Sequence, residues 1–365
     1  MKTKKTFFSL VFVSLVLAFT ACEKVEDLGG PKLVGTPDPV KLFVLSEGSW
    51  NGNNSGLAFF DFTSNPKIMK ADLFVSANNR SLGELANDMG VYGSKLYIVV
   101  NGSSTVEVVD VKTGKSLAQI SMLDEKEERQ PRYVDFYNGK AYVCSFDGTV
   151  AKIDTTSLEI DAFVNCGANP DGICVANGKL YVSNSGGLNY MDGYDNTVSV
   201  VDLSTFTEIK KITVDVNPGK LMTDSEGDVY VYTRGNYDFE NMENYIPSRF
   251  HRISAETDEL VESFEDIQVA DFSIYDDKAY IYNYDNTIQV FDCKTEQIVS
   301  ANFITDGTVI QSGYGIDINR SNGDLYITDA KNYTVLGDVI CFDKDGKLKF
   351  KIEEVGLNPN KVVFY

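Results

Sequence analysis

Histidine is almost missing from this chain, which has 365 residues and only His251 of that type. No two cysteines have a Cys-x-x-Cys spacing, and no Gly-x-Ser-x-Gly motif is present. These absences argue against histidine-rich metal centres, paired-cysteine metal sites and most forms of acid–base or nucleophilic catalysis. We therefore expect no metal site and no enzymatic activity.

Basic residues are also scarce. The chain has 33 Lys and Arg against 53 Asp and Glu, which gives a net charge of −20 at pH 7. A protein this acidic repels phosphate backbones and anionic lipid surfaces, so nucleic acid is not an expected partner.

The sequence has one long apolar run, residues 7–18, and it lies behind a basic amino terminus. The run is too short to span a bilayer comfortably and fits a signal peptide over residues 1–21. Residues 17–22 resemble the lipobox of bacterial lipoproteins, which implies acylation of Cys22 and a membrane anchor. The alternative is a plain secretory signal in which Cys22 is incidental. Residues 22–38 are rich in Gly, Pro and acidic residues and are interpreted as a flexible tether.

Few cysteines remain after Cys22. Their number is odd, so a disulfide framework is not expected. A pair between Cys166 and Cys174 remains an alternative to buried free thiols. The five residues are Cys144, Cys166, Cys174, Cys293 and Cys341.

Helical periodicity is nearly absent, and an internal repeat takes its place. In the segment Lys95–Val99 an aromatic residue, Tyr97, stands between apolar neighbours after a turn signal. Equivalent positions recur at intervals of roughly 40–55 residues, which is the spacing of four-stranded propeller blades. They are Phe43, Tyr142, Tyr181, Tyr230, Tyr280 and Tyr326.

A second recurring segment supports the same interpretation. Residues Thr105–Asp110 alternate between apolar and polar side chains, as a half-buried strand does, and end on an aspartate that opens a turn. Related segments are Thr149–Asp154, Thr197–Asp202, Thr287–Asp292 and, more loosely, Asp338–Asp343. The sequence thus predicts an all-β, seven-bladed β-propeller of four-stranded antiparallel blades over residues 39–365.

The carboxyl terminus is predicted to close the ring. Asn358–Tyr365 resembles Asn169–Val175, the opening strand of another blade. Blade one, which starts at Val40, lacks such a strand. A terminal strand that completes blade one removes two open sheet edges.

Several segments resemble the YncE-like propeller lipoproteins that accompany TonB-dependent outer-membrane transporters. They are Phe43–Trp50, Ala77–Gly83, Tyr314–Ile318 and Asp324–Ala330. One branch of these proteins captures cobalamin. The resemblance implies a surface-exposed, outer-membrane lipoprotein that binds cobalamin (vitamin B12) or a related corrinoid and passes it to a transporter, with no cofactor of its own.

Long loops between the second and third strands are predicted in blades one, four, five and seven. They combine aromatic and amide side chains, which suit a large flat ligand edged with amides, or a sugar. The alternative is a structural role, in which these aromatic residues pack within their own loops. The candidates from these loops are Trp50, Asn53, Tyr190, Tyr194, Tyr237, Phe239, Tyr245 and Tyr333.

Four further candidates complete the set of ligand-binding residues. Asn87, Arg132 and Tyr314 lie in connections between blades, where they can reach a ligand over the central axis. Structural water is an equally good partner for such groups. Tyr284 is the fourth.

Aspartate-rich segments leave two calcium hypotheses open. Asp343–Gly346 superficially resembles a calcium loop but lacks the later ligands, so a turn is favoured. Asp192–Asn196 could hold calcium. A lactonase-like, calcium-dependent hydrolase would need channel groups such as Asn87, Asp88, Asp171 and Asp271. A protein-binding scaffold is the third alternative.

Overall fold

Each blade is an antiparallel sheet of four strands, to which one blade adds a fifth at its outer edge, and the seven sheets form a ring. The structure, a computed structural model, describes residues 30–124, 127–189, 191, 193–236 and 244–365. Within these residues the single α-helix is α1 (Leu73–Asn78), and no helix is long and apolar enough to cross a membrane. The predicted seven-bladed, all-β propeller is confirmed.

The strands follow one another in chain order. The amino-terminal strands are β1 (Lys32–Gly35), β2 (Lys41–Ser46), β3 (Gly56–Asp61), β4 (Ile68–Lys70), β5 (Ala86–Tyr92), β6 (Lys95–Val100), β7 (Thr105–Asp110) and β8 (Ser116–Ser121). Blades three and four contain β9 (Pro131–Tyr137), β10 (Lys140–Ser145), β11 (Thr149–Asp154), β12 (Ile160–Asn165), β13 (Pro170–Ala176), β14 (Lys179–Asn184), β15 (Thr197–Asp202) and β16 (Thr207–Thr213).

The carboxyl-terminal half repeats the pattern. Blades five and six contain β17 (Pro218–Thr223), β18 (Val229–Thr233), β19 (Arg249–Ser254), β20 (Glu259–Phe264), β21 (Asp271–Tyr275), β22 (Lys278–Tyr282), β23 (Ile288–Asp292) and β24 (Gln297–Ser300). The last strands are β25 (Gly313–Ile318), β26 (Leu325–Asp329), β27 (Leu336–Phe342), β28 (Leu348–Leu357) and β29 (Pro359–Phe364).

Burial explains why the second strand of each blade has the strongest sequence signal. In β6 every residue after Lys95 is buried, and β10, β14 and β26 are buried to the same degree. Such strands pack against neighbouring blades on both faces, so most of their residues are apolar. The outermost strands, for example β8, alternate between exposed and partly buried residues. The repeated aromatic residues therefore belong to the core.

The carboxyl-terminal strand closes the ring as predicted. β29 pairs with β2, and Phe43 lies opposite Val363 in this register. Blade one has the order β29-β2-β3-β4, with its innermost strand supplied by the end of the chain. The first and last parts of the propeller are thus held in one sheet.

Aspartates on the innermost strands join neighbouring blades. Each side chain accepts a hydrogen bond from a backbone N–H of the next innermost strand, at 2.7–3.2 Å. These bonds satisfy buried backbone donors that have no partner in their own sheet. The pairs are Asp88 with Val134, Asp135 with Val175, Asp271 with Ile316, and Asp317 with Val362. Several of the channel aspartates therefore have a structural role.

Residues 32–35 form a strand, β1, although the sequence analysis placed them in a flexible tether. Lys32–Gly35 adds a fifth strand to the outer edge of blade seven, with Lys32 opposite Glu353 and Gly35 opposite Phe350. The sequence analysis assigned these residues to a flexible tether because four residues are too few to show a strand pattern. Hydrogen bonds to β28 place this part of the segment on the propeller.

The local details agree with the turn and thiol interpretations. Oδ1 of Asp343 accepts hydrogen bonds from the N–H groups of Asp345 and Lys347, which confirms a turn there. Cys166 and Cys174 are both free thiols. Among the residues that the structure describes, no group of three or more His, Cys, Asp or Glu is placed to hold a metal ion.

Candidate ligand-binding cavity

A cavity of about 1050 Å³ occupies the centre of the ring. It extends from Glu47 and Tyr333 at one end to Thr223 and Arg320 at the other. We call the first end the loop face, because the loops between second and third strands and the connections between blades lie on this side. As predicted, the second-to-third-strand loops are longest in blades one, four, five and seven.

Five of the candidate residues meet in this cavity. Three of them, Asn87, Arg132 and Tyr314, are the second residues of β5, β9 and β25, close to the loop face. Tyr284 and Tyr333 come from the loops of blades six and seven, and their exposed fractions are 53% and 49%. The cavity mouth therefore carries aromatic rings from two loops and polar groups from the innermost strands.

Other candidates lie on the loop face but outside the cavity wall. They are Trp50, Asn53, Tyr194 and Tyr245. Trp50 is 77% exposed, so its ring is not packed within its own loop. Four of the sequence-based assignments, Cys22, Tyr190, Tyr237 and Phe239, lie outside the described residues, as does Asp192 of the possible calcium loop.

The loop that carries Trp50 is fixed by one carboxylate. The backbone N–H of Asn53 donates to Oε2 of Glu84 at 2.6 Å, and the N–H of Asn51 donates to the other oxygen of the same side chain. Glu84 belongs to the connection between blades one and two. Trp50 is thus presented to solvent by a loop with a defined backbone position.

Two arginines of the cavity mouth share one aspartate. Nε of Arg132 lies 2.6 Å from Oδ1 of Asp171, and Nη1 of Arg234 lies 2.9 Å from its Oδ2. These residues come from three successive blades. Arg132 also donates to the side-chain oxygen of Asn87. Arg234 lies over the ring of Tyr232, at 5.2 Å from the centroid.

Tyr314 occupies the opposite side of the mouth. Its hydroxyl donates a hydrogen bond to the carboxylate of Glu47, and its ring meets that of Tyr333 edge-on at a centroid distance of 5.7 Å. Burial, together with the negative charge of Glu47, raises the pKa of Tyr314. The phenol therefore stays protonated and remains a hydrogen-bond donor at neutral pH.

Ion pairs line the cavity farther from the mouth. Lys361 lies 3.0 Å from Asp317, and Lys220 lies 3.0 Å from Asp271. Burial raises the pKa of Asp135 to about 6, with a smaller contribution from the charge of Asp88. The deep channel is consequently polar and closely balanced in charge.

The candidate set missed several residues of the cavity wall. They are Glu47, Tyr133, Tyr232, Arg234, Asn286 and Gln311. One signal for some of the wall was present, because four innermost strands begin with proline, and in two of them the next residue, Arg132 or Asn360, lines the cavity. These prolines are Pro131, Pro170, Pro218 and Pro359.

His251 takes no part in the cavity. It is fully buried in β19, where Thr233 contacts its Nε2 at 3.1 Å and Ser263 contacts its Nδ1 at 2.9 Å. Burial lowers its pKa to about 4, although Asp215 opposes the shift. The imidazole is therefore a neutral, hydrogen-bonded group of the core at physiological pH.

One protein family matches the propeller region of this chain. The model of a family described as "Domain of unknown function (DUF5074)" matches residues 41–356. The chain belongs to this family. The match covers nearly all of the ring, from β2 to the end of β28. No curated protein matches the chain at a significant level.

Solved structures share the fold of this family member. A quinonprotein alcohol dehydrogenase-like protein from Bacteroides thetaiotaomicron has a TM-score of 0.63 at 17% identity, over 89% of this chain and 78% of that one. BamB from Moraxella catarrhalis has a TM-score of 0.52 at 14% identity, over 88% of this chain and 84% of that one. Hydrazine synthase from Kuenenia stuttgartiensis has 0.55 at 16% identity, over 69% and 74%. At these identities the likeness concerns the fold alone.

Proposed function

We propose that this protein is a cell-surface lipoprotein that captures cobalamin or a related corrinoid at the cavity mouth. It holds the ligand without chemical change and passes it to a TonB-dependent outer-membrane transporter. The observation that carries the proposal is the wide cavity, about 1050 Å³, whose mouth combines exposed aromatic rings with amide side chains.

The size and lining of the cavity support a large ligand. Pockets for drug-sized molecules measure about 300–1,000 Å³, so this one is at the upper end of that range. Tyr284 and Tyr333 offer ring faces at the mouth. Amide groups of Asn286, Gln311 and Asn360 stand among the lining residues and can pair with carboxamides. A corrinoid is flat and edged with carboxamides, which matches this arrangement.

The amino-terminal sequence supports the proposed location. The basic residues, the apolar run and the lipobox-like residues 17–22 support acylation of Cys22. Two or more acyl chains give stable membrane attachment. The acidic net charge of −20 suits a domain displayed outside the cell.

Titration of the purified protein with cyanocobalamin tests the proposal. Heat release and the fluorescence of Trp50, the single tryptophan, are followed together. We expect tight one-to-one binding that persists in the presence of a chelator. If no binding occurs at micromolar ligand, corrinoid capture is refuted. Sugar binding and metal-dependent hydrolysis are then the next hypotheses to test.

A further inference from the structure

The cavity mouth contains more positive than negative charge at one point. Arg132 and Arg234 converge on a single carboxylate, that of Asp171, at 2.6 and 2.9 Å. The side chain of Asp171 is only 7% exposed, whereas those of the two arginines are 18% and 24% exposed. The carboxylate is thus covered by the guanidinium groups, and the guanidinium groups remain accessible from the cavity.

The other carboxylates discussed above, Glu47 and Asp271, do not pair with these two arginines. Glu47 keeps its negative charge on the opposite side of the mouth, where it accepts a hydrogen bond from Tyr314, and Asp271 pairs with Lys220 deeper in the cavity at 3.0 Å. Within this cluster two guanidinium groups thus face one carboxylate, in a protein whose net charge is −20. A positive point in such a protein would attract an anionic group in preference to a neutral one.

Hydrogen-bonding capacity remains at this point as well. A guanidinium has five N–H donors in a planar fork. Arg132 uses donors for Asp171 and Asn87, and Arg234 uses one nitrogen for Asp171 and, at 3.5 Å, for Asn217. These contacts occupy only part of the ten donors that two guanidinium groups supply.

Aromatic rings hold both groups in place. Arg132 lies 4.6 Å from the ring centroid of Phe146, and Arg234 lies 5.2 Å from that of Tyr232. Stacking of this kind fixes the plane of the guanidinium before a ligand arrives, which reduces the entropy lost on binding.

We infer that Arg132 and Arg234 bind a phosphate diester carried by the ligand. This inference rests on the proposed function and specifies which part of the ligand enters the mouth. Phosphate oxygens match the donor geometry of paired guanidinium groups. Below the pair, Lys361 and Lys220 are already paired with Asp317 and Asp271, so these lysines do not compete for the phosphate.

Two corrinoids test this assignment. Cyanocobalamin contains a phosphate diester in its nucleotide arm, and dicyanocobinamide has the same ring system without that phosphate. We expect the wild-type protein to bind cyanocobalamin more tightly. Arg132→Gln and Arg234→Gln each weaken cyanocobalamin binding by about tenfold, the effect of one charged hydrogen bond, and leave dicyanocobinamide binding nearly unchanged.

Three further variants make the test specific. Arg252→Gln is the matched control, because Arg252 is 21% exposed, pairs with Asp228 at 2.6 Å and does not line the cavity. It leaves both affinities unchanged. Arg234→Lys keeps the charge and retains most of the preference for cyanocobalamin. Asp171→Asn removes the competing anion and increases that preference.

The inference is overturned if the two corrinoids bind the wild-type protein equally, or if the arginine variants weaken both ligands to the same extent. Inorganic phosphate separates this failure from a failure of the proposed function. If neither corrinoid binds, phosphate still raises the melting temperature of the wild-type protein relative to chloride at equal ionic strength, and the arginine variants lose this protection. Absence of the protection in the wild-type protein refutes the arginine site itself.

Discussion

Oδ2 of Asp317 accepts a 2.7 Å hydrogen bond from the backbone N–H of Val362. This contact joins the innermost strand of blade seven to the strand that completes blade one. The same aspartate lies 3.0 Å from the ammonium group of Lys361, so it also balances a buried positive charge. The junction that closes the ring thus depends on one side chain with two partners.

Asp317→Ala is expected to destabilise the propeller by about 2–3 kcal/mol, because it leaves a buried N–H without its acceptor and leaves Lys361 with only the more distant carboxylate of Asp88, at 3.9 Å. Chemical denaturation measures the change. Asp292→Ala is the control, since Asp292 caps only its own turn through Lys294 and Thr295. We expect Asp292→Ala to lower the free energy of unfolding by less than Asp317→Ala does. Equal losses in the two variants would contradict a special role for the junction.

His251 predicts a pH dependence of stability. Its pKa is about 4 in the folded protein and about 6.5 when unfolded, because burial disfavours the imidazolium. Between these values only the unfolded chain takes up the proton, so stability falls as the pH decreases from 6.5 to 4. The contribution is on the order of 3 kcal/mol. His251→Gln removes this part of the pH dependence, measured as the difference between the two denaturation curves across pH.

The five cysteines of the propeller are expected to react slowly with alkylating reagents in the folded protein. Four are buried, and burial raises the pKa of the Cys293 thiol to about 12, which suppresses the reactive thiolate. In denaturant without reductant, mass spectrometry is expected to show that all five are alkylated. A missing pair of modifications would instead indicate a disulfide, with Cys166 and Cys174 as the first pair to examine.

Tyr284→Ala is expected to weaken corrinoid binding by about tenfold, through the loss of ring contact at the cavity mouth. Tyr137→Ala is the matched control. Tyr137 is also exposed, but it lies at the end of β9 away from the loop face. Calorimetric titration of both variants measures the difference. Unchanged affinity in Tyr284→Ala would place the ligand away from this part of the mouth.

Local patterns made the fold predictable. The buried Tyr97 and the turn-forming Asp110 each depend on neighbours within one blade, so their signals repeat along the sequence. Closure of the ring could also be predicted, because Asn358–Tyr365 has the sequence pattern of an innermost strand.

The cavity was harder to predict. Asp171 meets Arg132 and Arg234 only because three blades converge on the axis, and no spacing within one repeat shows that convergence. Exposed aromatic residues such as Trp50 were correctly placed on the loop face. Their distance from the axis depends on the shape of each loop, which composition does not determine. Arg132 and Tyr314 were assigned to connections between blades near the axis, and the structure places them one residue farther on, inside β9 and β25.

The pairing of β29 with β2 also sets an order of events during synthesis. β2 is among the first strands to leave the ribosome, and its inner neighbour is the last. Until β29 has emerged, blade one has an unpaired inner edge, and the channel wall lacks Asn360 and Lys361. A chain that stops before Asn358 has neither a closed ring nor a complete cavity. Binding at the proposed cavity therefore requires β29.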